Sequence, residues 1–202
     1  MNVIRISFIV ASISILLACR QPEAQQVEVA PSPTPTVIPM AENFAYPISK
    51  KEFVTEAKDK KDDWYDAQDF GQNDHLGEDW NKNSGGNTDC GEPVYAVANG
   101  LITYAQDAGP GWGNVIIIEH RLPSGENVES LYGHMLEIMK KEGEVKKREQ
   151  IGKVGNANGQ YLCHLHLEIR TSDCPMWNQP GPGYARDRKG WVDPSDFIDS
   201  HR

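Results

Sequence analysis

The sequence predicts a mainly β domain built on an antiparallel sheet, and three observations predict it. Short apolar runs rich in β-branched and aromatic residues recur beyond Phe70: "PVYAVANG", "LITYAQ", "NVIIIEH", "ESLYGHM", "QIGKVG" and "HLHLEIR". Glycine or asparagine stands at the breaks, as turns between neighbouring strands require. In the last run Cys163, Leu165, Leu167 and Ile169 alternate with His164, His166, Glu168 and Arg170. That period of two puts the apolar set on one face of a strand and the polar set, with two imidazoles side by side, on the other.

The chain begins "MNVIRISFIVASISILLAC", with one basic residue, Arg5, and an apolar run from Ile6 to Ala18. The run fits a signal-peptide core and falls short of the ~20 apolar residues of a spanning helix. Its ending "LLAC" resembles the lipobox of bacterial lipoproteins, which implies lipidation of Cys19 and removal of residues 1–19. More than one acyl chain gives stable anchoring. Arg20 in place of aspartate resembles the outer-membrane-sorted class, so a lipid-anchored envelope protein facing the periplasm is expected, on the outer rather than the inner membrane.

Residues 20–46 are proline-rich and polar, with nothing periodic to bury, and read as a semi-extended spacer that holds a domain off the membrane. The domain is then expected over residues 47–202, one core of ordinary size. Ser49 followed by Glu52 is a capping-box pattern that predicts a short helix before about Trp64. The strands follow in the order quoted, interrupted by two irregular stretches, "WNKNSGGNTDCGE" and "TSDCPMWNQPGPGYARDRKG". Both read as surface loops; Met176, Trp177 and Tyr184 in the second are aromatic or apolar groups that can shape a groove.

Twenty Lys and Arg against 29 Asp and Glu leave a formal charge of −9, which disfavours a nucleic-acid partner held through phosphates. Beyond Cys19, three cysteines at 90, 163 and 174 in an oxidising compartment permit one disulfide and one free thiol, and the sequence does not choose the pair.

Six histidines stand at 75, 120, 134, 164, 166 and 201. His75 lies four residues before Asp79, with Gly77 between them favouring a loop or strand start over a helix. His134 follows Tyr132 in a β-like segment and is read as sharing its face, His120 reads as structural, and His201 suggests nothing. Zinc takes imidazole nitrogen and carboxylate oxygen, and a catalytic site keeps three protein ligands and one position for water. His75, Asp79 and one histidine of the "HLH" strand would supply that set, leaving the other beside it. Zinc lowers the pKa of its water to about 7 and polarises a carbonyl, while nearby imidazoles take and give protons. No His-Glu-x-x-His helix is present. Glu168 reads equally as a partner orienting a ligand imidazole and as a solvent-facing strand residue.

His-x-x-x-Asp, then Tyr-Gly-His, then His-Leu-His-Leu-Glu resembles, in that order, the lysostaphin and LytM type of zinc metallopeptidases, which cut peptides of the bacterial cell wall. The likeness runs from about Asn73 to Arg170, takes in "GEPVYAVANGLITYA", "GWGNVIIIEH" and "IGKVGNANG", and extends to "VDPSDFI" near the end. The resemblance implies one zinc ion held by His75, Asp79 and His166 on the floor of a loop-walled groove, with His134 and His164 as catalytic histidines. It implies an endopeptidase acting on peptide stems or cross-links of peptidoglycan. The alternative is a non-catalytic module that docks on the wall or activates another hydrolase. This chain departs from the family's pattern between Asp79 and Gly91, at Cys163, and over residues 171–190, which look inserted.

Overall fold

The computed structural model describes residues 37–49 and 63–202. The export segment, Cys19, the spacer up to residue 36 and the body of the helix expected before Trp64 lie outside the described residues. The described elements are β1 (Trp64–Gln68), β2 (Glu78–Lys82), β3 (Pro93–Tyr95), β4 (Gly100–Asp107), β5 (Asn114–Arg121), β6 (Asn127–Met135), β7 (Glu137–Ile138), β8 (Gly143–Val145), β9 (Gln150–Lys153), β10 (Leu165–Thr171), β11 (Trp191–Val192) and α1 (Pro194–Ser200). The large sheet runs β1-β2-β10-β6-β5-β4-β8, with β11 on the far end of β10, and a three-stranded sheet runs β3-β9-β7. Every pairing between these strands is antiparallel, as the turn-bounded runs predict.

The central strands are buried on both faces. In β5, Ile116 and Ile118 join the main core with Tyr132, Leu165, Leu167 and Trp80. Val115 and Ile117 point the other way and pack with Leu131 under Trp112. The run "VIII" is therefore continuous because it serves two cores. β10 is partitioned as its alternation predicts, but its polar face is buried as well: His166, Glu168 and Arg170 are 2%, 0% and 0% exposed. Residues 172–190 cover that face, and a buried polar group is tolerated there only because each finds a partner.

The packed unit begins earlier than the composition suggests. Ala41, Phe44, Ala45 and Tyr46, all within the stretch read as spacer, are buried. Phe44 meets the rings of His120, Phe197 and His201, and Tyr46 sets its edge on Trp80 and its hydroxyl on Asp199 Oδ1 at 3.1 Å. Arg148 closes the strap over them by donating to the carbonyls of Tyr46, Ile48 and Ser49. Two buried aromatics contribute about 1.5–3 kcal/mol each, which outweighs the polar look of their neighbours.

At the other end, α1 starts on Asp193, whose carboxylate accepts from Asp196 N at 3.0 Å, with Pro194 in the first turn. Ser195 then donates from N and Oγ to the buried Glu78. Cys90 and Cys163 form a disulfide, and Cys174 is a buried free thiol. The bridge resolves the pairing that the sequence leaves open, and it ties the loop after β2 to the residue preceding His164.

Candidate active site

His75 reaches the site through a tight reversal, with Gly71, Asn73 and Asp74 all at positive φ, before the chain enters β2. Gly77 is required there: a Cβ would fall 2.3 Å from Leu167 O and 3.0 Å from His166 Cε1. Asp79 is the register partner of His166 across β2 and β10, so strand pairing alone sets the two side chains next to each other.

The three donor atoms converge. His75 Nε2 lies 3.0 Å from His166 Nδ1 and 3.4 Å from Asp79 Oδ1, and His166 Nδ1 lies 2.9 Å from Asp79 Oδ1. Bonds of about 2.0–2.1 Å to a tetrahedral zinc set its ligands about 3.3 Å apart, so the trio has the spacing of one face of such a tetrahedron. His166 can offer Nδ1 because its Nε2 is held by Glu168 Oε1 at 3.1 Å. Glu168 is fully buried, which removes the solvent-facing alternative. Its Oε2 accepts from Arg170 Nε at 2.7 Å and Trp191 Nε1 at 2.8 Å.

Charge in the site follows from these contacts. Burial pushes the Asp79 carboxyl up, but the hydrogen bonds from His166 and His75 and the charges of His166 and His164 override it and hold it far below the usual range. Burial opposes a charge on His166, yet Asp79 and Glu168 together raise its imidazole to about 9. The protein groups by themselves thus hold a proton where a divalent cation fits in exchange for it.

His134 and His164 stand on the open side of the trio, their ring centroids 4.7 Å apart. His134 does not share the face of Tyr132, contrary to the strand reading. Gly133 and His134 together oppose the single residue Val115, a β-bulge, and His134 sits at φ 61°. The bulge turns its ring out of the core, where Tyr132 remains, and into the groove. The Trp112 carbonyl accepts from both His134 N (3.0 Å) and His134 Nδ1 (3.2 Å). The Leu162 carbonyl lies 2.9 Å from His164 Nδ1. A carbonyl only accepts, so Nδ1 carries the proton in each ring and Nε2 is left for chemistry. His164 Nε2 lies 3.7 Å from Asp79 Oδ2. Burial, with the charges of His166 and His164, lowers His134 to about 3 and keeps it neutral.

A groove of about 400 Å³ opens over these residues. Trp112 stacks beside His134 and meets His166 edge-on, Tyr161 flanks His134 and His164, and Tyr184 stacks on His75 at 4.9 Å. Trp112 Nε1 donates to Gly181 O at 2.8 Å and Tyr184 Oη to Gln68 Oε1 at 3.2 Å, so the walls brace one another.

All five residues singled out by the sequence pattern, His75, Asp79, His134, His164 and His166, thus lie in one place. Of the three side chains marked in the second loop, Tyr184 lines the groove, whereas Met176 packs beneath it against the cluster of Leu76, Cys174 and Trp191; Trp177 does not line it. Trp112, Tyr161 and Gln68 were not foreseen; the glycines of "GPGWGN" were the available signal that a loop, and its Trp, closes on something. His120 is structural as expected, fully buried between Asn99 O and Ser130 Oγ, and burial lowers it to about 4.

Comparison with known proteins identifies the family. The profile described as Peptidase family M23 matches residues 74–178, a little over half of the chain. The DD-carboxypeptidase/endopeptidase Mpg of Neisseria meningitidis serogroup B is 38% identical over 86 residues, 43% of this chain and 19% of that protein. The lipoprotein NlpD of Yersinia enterocolitica is 37% identical over 81 residues, 40% of this chain and 78% of that sequence. Among solved structures, a chain of the SpoIIQ–SpoIIIAH pore forming complex aligns with a TM-score of 0.51 at 20% identity, over 80% of this chain and 94% of the other, a likeness of fold.

Proposed function

The chain belongs to peptidase family M23, and from that premise and the geometry of the groove we propose that it is a zinc-dependent endopeptidase that cleaves peptide stems or cross-links of bacterial peptidoglycan. One observation carries the proposal: a complete donor trio, His75, Asp79 and His166, meets an aromatic-walled groove that Asp79 and His166 line together with two further imidazoles, His134 and His164. Relatives' names that include a peptidase of this kind and a lipoprotein support it.

A zinc ion held by His75 Nε2, Asp79 and His166 Nδ1 would polarise the scissile carbonyl and acidify the attacking water. Glu168 keeps the His166 ring turned so that Nδ1 faces the trio. His134, neutral and with its Nδ1 proton committed to Trp112 O, offers Nε2 to take the water's proton. His164 Nε2, beside Asp79 Oδ2, is placed to donate to the developing oxyanion or the departing amine. Trp112, Tyr161 and Tyr184 give a peptide backbone flat apolar walls. Among the described residues no lysine or arginine lines the groove, so a terminal carboxylate finds no counter-charge there, which favours cleavage at internal bonds.

We place the activity in the cell envelope. Cys19 is the lipid anchor, residues from Arg20 to about Met40 the spacer, and the domain faces the periplasm from the outer membrane.

The test is zinc content and peptidoglycan digestion, side by side, for the purified protein in detergent and its His164→Ala and His166→Ala variants. Loss of zinc from His166→Ala, and retained zinc without peptide release from His164→Ala, are the expected results. A zinc-loaded parent that releases no muropeptide from any wall type would sink the reading and return the protein to the binding-module class.

A further inference from the structure

Arg170 is fully buried two residues beyond Glu168 on the same face of β10 and has no part in the chemistry above. Its guanidinium is divided between two structures. Nε donates to Glu168 Oε2 at 2.7 Å, with NH2 2.6 Å from the same oxygen. NH1 donates to Met176 O at 3.1 Å and Gln179 O at 2.6 Å, two carbonyls of the loop that covers the polar face of β10. A second carboxylate helps: Glu129, 3.9 Å from NH1, accepts from Asn178 N at 2.6 Å.

The same loop goes on to build the groove. Gly181 O receives Trp112 Nε1, Gly183 O receives Leu76 N, and Tyr184 bridges His75 before stacking on its ring. One planar cation therefore joins the carboxylate that orients a donor imidazole to the backbone that positions the groove wall. Only a fork of fixed donors serves both in one plane.

We propose that Arg170 is a positioning residue that couples the groove wall to the metal centre, so that the residue 172–184 loop and the orientation of His166 are set together. The inference rests on the metal-centre reading, and it extends it to the part of the chain that the sequence pattern marks as inserted. The insertion thereby gains a role, since the wall is fastened where the ligand is fastened. A peptide pressing on the wall is resisted by the same ion pair that holds Nδ1 toward the trio.

The experiment compares Arg170→Lys and Arg170→Gln in the full chain, reading zinc retention against a chelator, amide hydrogen exchange of residues 174–185, and KM and kcat on a peptidoglycan-derived peptide. Arg170→Gln takes the guanidinium charge from Glu168, leaving it the His166 and Trp191 hydrogen bonds, and is expected to lower zinc affinity about 10- to 100-fold, the usual effect of losing a group that supports a ligand. Arg170→Lys keeps a charge against Glu168 but does not also reach the two carbonyls. Loop exchange is expected to rise about tenfold and KM several-fold, with kcat changed much less.

Loop exchange and KM at parental values in Arg170→Lys would mean that Arg170 merely neutralises Glu168, and would overturn the proposal. So would parental zinc affinity in a folded Arg170→Gln. If Arg170→Gln does not fold, Arg170→Lys decides. Should the parent digest no peptide, the zinc and exchange readouts still decide this inference, while the proposed activity fails separately.

Discussion

Removing the Cys90–Cys163 bridge is expected to lower stability strongly while leaving the metal centre able to form. The two cysteines are 73 residues apart in sequence, so the bridge closes a long loop in the unfolded chain. Chain-entropy arguments give roughly 4 kcal/mol for a loop of this length, and typical measured values are about 2–4 kcal/mol. For a domain of this size each kcal/mol corresponds to about 2–4 °C in Tm, so a fall of roughly 5–15 °C is expected. The local geometry has other supports: Asn81 Nδ2 donates to Cys163 O at 3.1 Å, Cys163 N donates to Asn87 Oδ1 at 2.9 Å, and His164 N donates to Gly155 O at 3.1 Å. His164 and His166 should therefore keep their places in the folded state. The assay is calorimetry of the parent and the Cys90→Ser/Cys163→Ser variant at one fixed excess of free zinc, because a bound ligand raises Tm by mass action. Zinc stoichiometry is measured well below both transitions. A fall under about 2 °C would refute the loop-entropy reasoning, and loss of zinc from the folded variant would refute the claim that hydrogen bonds alone hold the histidine strand in place.

Phe44→Ala should cost about 3–5 kcal/mol in urea denaturation, since the ring is buried among His120, Phe197 and His201; a cost below about 0.5 kcal/mol, the usual range of a surface change, would return residues 41–46 to the spacer. Gly77→Ala forces a Cβ toward Leu167 O and His166 Cε1, so zinc affinity and stability should fall together, and a variant with parental values of both would show that the β2–β10 spacing yields freely. Zinc affinity should rise by about tenfold per pH unit and flatten near pH 9, because His166, raised to about 9, must lose its proton to bind; proton release in weakly buffered titrations checks it, and a flat profile from pH 7 to 9 would contradict it. The sign reverses for the metal-free protein: a raised His166 stabilises the fold fully below about pH 6.5, and that contribution is lost as pH rises through about 9, so metal-free Tm should fall over that window.

The strands and the five site residues were legible because their signals are short-range. Alternation at β10 and the apolar run of β5 state a burial pattern directly, and the His-x-x-x-Asp and His-x-His spacings include Asp79 and His166, which strand pairing sets side by side. What was not legible depends on distant partners. Nothing in "ENFAYPI" says that Phe44 and Tyr46 find slots beside α1 and Trp80, so its proline and polar neighbours dominate the reading. β1 is short and mixed in polarity, and it exists by pairing with β2 rather than by its own pattern. The bulge at His134 breaks the parity on which face assignments rest. The disulfide partner depended on where a loop returns in space, not on spacing.

The burial of the polar face of β10 explains why this strand carries Glu168 and Arg170 beside His166. Exposed, Glu168 would exchange its hydrogen bonds with water, and His166 would turn freely between its two nitrogens. Covered by residues 172–190, the carboxylate is held well below its usual range: burial works against that, but the charges of Arg170 and His166 and the hydrogen bonds from His166 and Trp191 prevail. A buried ion pair of this kind contributes little net stability, because desolvation offsets its attraction. What it contributes is direction, since each oxygen of Glu168 is committed, one to His166 and the other to Arg170 and Trp191. The loop that looks like an insertion in the sequence thus covers the Glu168–Arg170 pair that orients His166. Its Tyr184 then emerges as a wall of the groove, so covering Glu168 and walling the groove are done by one length of chain.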